Sequence, residues 1–246
     1  MQLVVMLIIS LILGSESVAQ VQPNPGATFG IEMQSYFRHP DAKSIVDKFF
    51  ALPPSEVSRR ERSLIVATFF SQLINKDPTI GDLLVERSRD ANSAFKPTVT
   101  MALNQSHHPR RTELIRDVGG DAALKGLLSS SFELRTFPIV HPIHLDMMWA
   151  GFFATGEGAY VERIAEKSEA YVSQDQIRVL GQTAKDDPQA KNLLLNAIIA
   201  QAAVWSLTSN AANYPEVRSA LVNLVQHHQG KAAVMAAAIL AKTNPK

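Results

Sequence analysis

Residues Glu56 to Asn75 read EVSRRERSLIVATFFSQLIN, and this stretch decides the fold class. Ile65, Phe69 and Leu73 recur every fourth position, with Val66 and Phe70 beside them, so one side of a helix carries a continuous apolar stripe. Strand-like alternation is absent here and hard to find elsewhere; only Phe132 to Val140 reads as extended. The same period returns along the chain. In Pro142 to Thr155 the stripe is Leu145, Met148, Trp149, Phe152 and Phe153, and Gly156 follows where a helix commonly ends. Ser173 with Gln176 three residues on makes a capping-box pattern ahead of Ile177 and Leu180. Asn192 to Leu207, NLLLNAIIAQAAVWSL, is apolar nearly all round, so a central position is expected for it. An Ala-rich helix, Ala232 to Ala241, closes the chain.

Proline punctuates these segments. Pro40, Pro54, Pro78, Pro109, Pro142, Pro188 and Pro215 each stand just before an apolar-periodic stretch. The first helical position has no use for an N–H, so proline loses nothing there. Asp41, Glu56, Asp77 and Glu216 lie beside four of these prolines, where the helix dipole favours an acid. The expected fold is all-α, built from stacked helical hairpins as a solenoid-like array or an irregular bundle. Two segments hint at an internal repeat. Ala67 and Ala150 each open an Ala-x-Phe-Phe run, followed by a turn and a helix ending Glu86-Arg87-Ser88 or Glu166-Lys167-Ser168. Two amphipathic hairpins that merely share common residues explain the likeness equally well, since solenoids need about three copies.

Upstream, MQLVVMLIISLILGSESVAQ has an apolar run from Leu3 to Leu13, a polar break from Gly14 to Ser17, and small residues in Ser17-Val18-Ala19. The run is shorter than the about 20 residues a membrane-crossing helix needs. Residues 1–19 are therefore read as a signal peptide, although no Lys or Arg precedes the run. Residues 20–32 are rich in Pro, Gly and small polar groups and are read as a flexible leader; residues 33–244 form a single all-helical domain.

Composition narrows the chemistry. Lys and Arg number 24 against 23 Asp and Glu, a balance too even for a nucleic-acid surface. Cysteine is absent, which excludes thiol nucleophiles, Cys-ligated zinc, iron–sulfur clusters and a lipid anchor on Cys. An exported chain without disulfides fits a bacterial periplasm better than a eukaryotic extracellular space. No GxSxG elbow, HExxH, GxxxxGK[ST], strand-associated GxGxxG or EF-hand loop occurs, and no cofactor is implied.

Four residues make the candidate surface: His141, His144, Asp146 and Glu157. His141-Pro142-Ile143-His144-Leu145-Asp146 combines ligand-type side chains, but His144 and Asp146 stand about 200° apart on a helix and need a third element to share an ion. Glu157, between Gly156 and Gly158, could serve as a general acid in a glycan cleft if a second carboxylate lay near. His107-His108 and His227-His228 point in different directions on a helix and do not chelate as pairs. No catalytic, cofactor-binding or metal residue is assigned.

The segment Leu145-Asp146-Met147-Met148-Trp149-Ala150-Gly151-Phe152-Phe153-Ala154-Thr155-Gly156-Glu157 resembles a pattern in uncharacterised exported bacterial helical proteins, in which a Leu-Asp-x-x-Trp helix precedes Phe-Phe-Ala-Thr-Gly. That resemblance implies an all-helical fold and no assigned activity. The expected function is a non-catalytic, helical-repeat-like binding or scaffold module, periplasmic or secreted, whose partner is another envelope protein or a peptide. Nucleic acid is not a partner, and the membrane enters only through the export signal. Two rivals stand beside it: a hydrolase of envelope material using Glu157 or the His141–Asp146 segment, and an envelope protein held by an uncleaved N-terminal helix.

Overall fold

A computed structural model describes residues 25–126, 132–185 and 187–243. The signal-peptide reading of residues 1–19 and the first part of the leader lie outside them. Among the described residues every regular element is helical, and the architecture is an all-α bundle. Its organising element is α4, Arg60–Lys76, whose stripe buries Val66, Ala67, Phe69, Phe70, Leu73 and Ile74.

Two helices flank α4: α6, Lys96–Gln105, and α8, Pro142–Thr155. All three run parallel. Ser63 and Thr98 share a hydrogen bond near one end of the α4–α6 contact, and Thr68 Oγ1 lies 3.2 Å from Gln105 Oε1 further along. On the other side, Lys76 Nζ donates to the Thr155 carbonyl at 2.8 Å where α4 and α8 both end. The returning helices are α5, Thr79–Asp90; α7, Arg111–Ala123; and α9, Gly158–Lys167. The layer order is α6–α4–α8, with the earliest helix in the middle. A solenoid stacks its units in chain order, so this is a bundle and not a one-dimensional array. The two Ala-x-Phe-Phe helices, α4 and α8, are direct neighbours. Ser88 and Ser168, which end the likeness, are both buried and both donate to the carbonyl three residues back, Val85 and Ala165.

The leader reading needs correction. Helix α1 spans Pro25–Ser35 and so takes in residues 25–32 of the stretch 20–32 assigned to a flexible leader. Phe29 is 1% exposed and meets Phe49 of α2, Ala42–Phe50, at 6.1 Å between ring centroids. Proline and glycine marked a helix start there, and a single aromatic residue fixed it to the core. The proline signals elsewhere resolve by type. Pro142 and Pro215, and Pro54 and Pro188, sit at the first helical turn of α8, of α12 (Pro215–His227), of short α3 (Pro54–Val57) and of α11 (Pro188–Asn213). Pro40, Pro78 and Pro109 stand just outside their helices.

The carboxy-terminal part packs on α9. Helix α10, Gln174–Thr183, starts with the expected reciprocal capping box between Ser173 and Gln176. It lies against α11, and α12 and α13, Lys231–Lys242, complete the group. The expectation of a central 192–207 helix is met on one side only. Ala197, Ile199, Ala200, Ala203, Leu207 and Ala211 of α11 are buried, whereas Leu195 and Trp205 remain 38% and 45% exposed. By length and composition alone α11 could cross a membrane, but its alanine-rich side is part of the core.

Candidate functional site

Helix α8 carries three of the four candidates and ends beside the fourth. His141 is its N-cap: extended backbone lets Nδ1 accept the Ile143 N–H at 3.2 Å. This is the work of a capping Asp or Ser done by an imidazole. His144 folds back on the preceding segment. Its Nδ1 accepts the Val140 N–H at 3.2 Å, and its ring meets Phe137 edge-on at 5.0 Å. Burial pushes its pKa below the ordinary value, against a backbone hydrogen bond at Pro138 that opposes the shift, with His141 adding a smaller lowering. The two histidines therefore tie residues 137–141 to the start of α8.

Asp146 points elsewhere. It faces the start of α4, where Glu61 is the nearest influential charge. Burial, reinforced by Glu61, raises the Asp146 pKa to about 7. Among the described residues nothing donates a hydrogen bond to it and no cation pairs with it. One turn on, the Nε1–H of buried Trp149 also lacks a partner among the described residues.

Glu157 lies at the far end of α8, about 16 Å along the axis from Asp146 at 1.5 Å per residue. Gly156, with φ 74°, makes that turn possible, and its N–H closes on the Phe152 carbonyl at 2.7 Å. Glu157 forms an ion pair with Arg135, whose guanidinium also lies 5.9 Å from the centroid of the Tyr160 ring. Glu157 is the main reason the Arg135 pKa is raised. Behind this pair, the Tyr160 hydroxyl donates to Gln72 Oε1 at 2.8 Å, and Gln72 Nε2 donates to Ser71 Oγ.

The structure thus brings His141 and His144 together, ring centroids 6.0 Å apart, and separates both from Glu157. Glu157 is held by the Arg135 guanidinium, and its charge and that of Glu133 both act on the Tyr160 hydroxyl. No group of three or more His, Asp or Glu side chains among the described residues could hold a metal ion. Two shallow depressions mark the surface, of about 300 Å³ beside His107–Thr112 and about 440 Å³ along α12; none of the four candidates lines either. At the first, buried His108 accepts the Arg110 N–H through Nδ1, so Nε2 carries the proton, 3.9 Å from Asp82. Only Nδ1 is hydrogen-bonded; Nε2 is buried without a hydrogen-bond partner among the described residues.

Two features escaped the sequence reading. Arg135 gave no local signal as a partner for Glu157, because 22 residues separate them. The exposed side of α11 did leave a trace: Leu195 and Trp205 stand ten residues apart, which returns close to the same side of a helix. Comparisons of the chain with protein-family models, with curated proteins and with solved structures return no match.

Proposed function

We propose that this protein is an exported bacterial envelope protein that works by binding another protein or peptide and not by catalysis. One observation carries the binding reading: Leu195 and Trp205 stand exposed on one side of α11, and no charged residue occurs from Asn192 to Tyr214. Isolated exposed apolar residues are ordinary, but a face in helical register along one element is a docking feature. The hydrolase alternative draws no support from a cluster, because the four candidate side chains divide between two ends of α8. The export reading rests on residues 1–19.

A photo-crosslinking residue in place of exposed Trp205 tests the binding reading in the producing cell. A discrete adduct heavier than the chain is expected, and illumination that gives none overturns it. Export is tested by fusing alkaline phosphatase after residue 24. The fusion is active only outside the cytosol, and an intact mass lacking residues 1–19 identifies cleavage.

A further inference from the structure

We infer that His141 and His144 form an acid-sensitive latch: as neutral rings they hold residues 137–140 on the start of α8, and on protonation they let that stretch go. Each ring accepts a backbone N–H through Nδ1, His144 from Val140 and His141 from Ile143, both at 3.2 Å. An imidazolium carries a proton on both nitrogens and accepts nothing. Neither hydrogen bond therefore survives protonation. Two further costs fall on the charged form. Both rings stand at the first turn of α8, where the helix dipole disfavours a cation, and their centroids are 6.0 Å apart, so the two charges repel.

The latch holds a short apolar flap. Leu134 and Ile139 are buried, Phe137 packs edge-on against the His144 ring, and the Pro138 carbonyl takes a hydrogen bond from that ring. Leu134 Cδ2 lies so near Gly151 that a Cβ there would come within 2.8 Å of it, so the flap covers α8. Its other end is tied by Glu133 to His107 and by Arg135 to Glu157. Both contacts persist while the carboxylates are ionised, and the first strengthens when His107 is protonated. Protonation at the start of α8 thus lifts residues 137–140 and leaves 133–135 tethered. No nearby acid offsets the new charge. Residues 136–140 carry no titratable side chain, and Glu61 on α4 bears on Asp146. Among the titratable groups of the described residues, His141 alone bears on His144. Burial holds the His144 pKa below the ordinary 6.5, so the open flap takes up the proton first and gains on the closed one as pH falls past that value.

Hydrogen–deuterium exchange at pH 8 and pH 5, corrected for the intrinsic pH dependence of exchange, tests the latch on the full chain. Protection across residues 134–140 should fall about tenfold or more at pH 5, the equivalent of one lost hydrogen bond at the upper end of its usual worth. Helices α4 and α12 should keep theirs. The double variant H141N/H144N removes the titration and keeps the geometry, because an Asn oxygen stands where Nδ1 stands and accepts a backbone N–H at any pH. Its protection over 134–140 should be the same at both pH values. Asp146 titrates alike in both chains, so the comparison cancels its contribution. Unchanged protection in the wild type overturns the proposal, as does an equal fall in the double variant. A fall shared with α4 and α12 is global loosening and overturns it too. If the double variant does not fold, the ring nitrogens of the wild type decide by nitrogen-15 magnetic resonance. At pH 8 both rings should carry their proton on Nε2, and a proton on Nδ1 of either overturns the latch.

Discussion

The Asp146 carboxyl on α8 lies within electrostatic reach of Glu61 at the start of α4, and Asp146 has no hydrogen-bond donor or cation among the described residues to offset its burial. Its pKa of about 7 in the folded chain compares with 3.8 for an ordinary aspartate. At low pH both states carry the proton and Asp146 costs nothing. As pH rises past 3.8 the unfolded chain ionises first, so stability falls until about pH 7 and is level beyond it. Asp146→Asn removes the titration. The variant should match the wild type near pH 4 and exceed it by about 4 kcal/mol near pH 8, at 1.36 kcal/mol per unit of pKa shift. Urea unfolding at the two pH values measures this, and equal wild-type and variant midpoints at pH 8 contradict it.

Legibility of the fold followed from range. Stripes, caps and stops are local, so Ile65/Phe69/Leu73, the Ser173–Gln176 box and Gly156 were readable from neighbours a few residues away. The order of packing was not. Gln72 and Tyr160 read as a polar residue on a helix and an aromatic residue on another, yet they form one buried hydrogen bond over 88 positions. The site candidates were read from residue type, and type does not encode direction. His141 and His144 spend their ring nitrogens on backbone groups, while Asp146 turns to α4. For α11 the fault was to equate apolar composition with burial: a helix needs neighbours on every side to be central, and α10 and the core cover only part of it.

The Gln72–Tyr160 bond ties α4 to α9 in the core. Tyr160→Phe leaves the Gln72 carbonyl oxygen buried without its donor, which should cost about 1–2 kcal/mol. Pairing it with Gln72→Leu removes the unsatisfied group, so the double variant should be more stable than the sum of the singles predicts. A double-mutant cycle by chemical denaturation checks the coupling; strict additivity contradicts it.

Two glycines should respond in opposite directions to alanine. A Cβ on Gly151 would lie 2.8 Å from Leu134 Cδ2 and 2.9 Å from Tyr160 Cε1. Gly151→Ala should therefore destabilise by about 1–3 kcal/mol through overpacking. Gly181, in α10, has nothing within 4 Å of the same position. Gly181→Ala should stabilise by about 0.5–1 kcal/mol, because alanine restricts the unfolded chain and favours the helix. Thermal melts of the two variants against wild type decide the pair.

Phe29 tests where the folded body begins. Its ring is fully enclosed and packs on Phe49, so Phe29→Ala should cost about 3 kcal/mol or more, the usual loss for emptying a core aromatic site. Ile31, on the same helix but 68% exposed, provides the control: Ile31→Ala should change stability by less than about 0.5 kcal/mol. Equal, small effects at both positions would return residues 25–32 to the status of a leader.

The two tryptophans offer a direct reading of the α11 face. Trp149 is 5% exposed and stacks on Phe153, whereas Trp205 is 45% exposed. Iodide, a charged quencher that does not enter a packed core, should therefore reach Trp205 alone. In dilute solution Trp205→Phe should remove nearly all quenchable emission, and Trp149→Phe should leave a single fully quenchable class. Equal quenching of the two single variants contradicts the placement of Trp149 in the core and Trp205 in solvent.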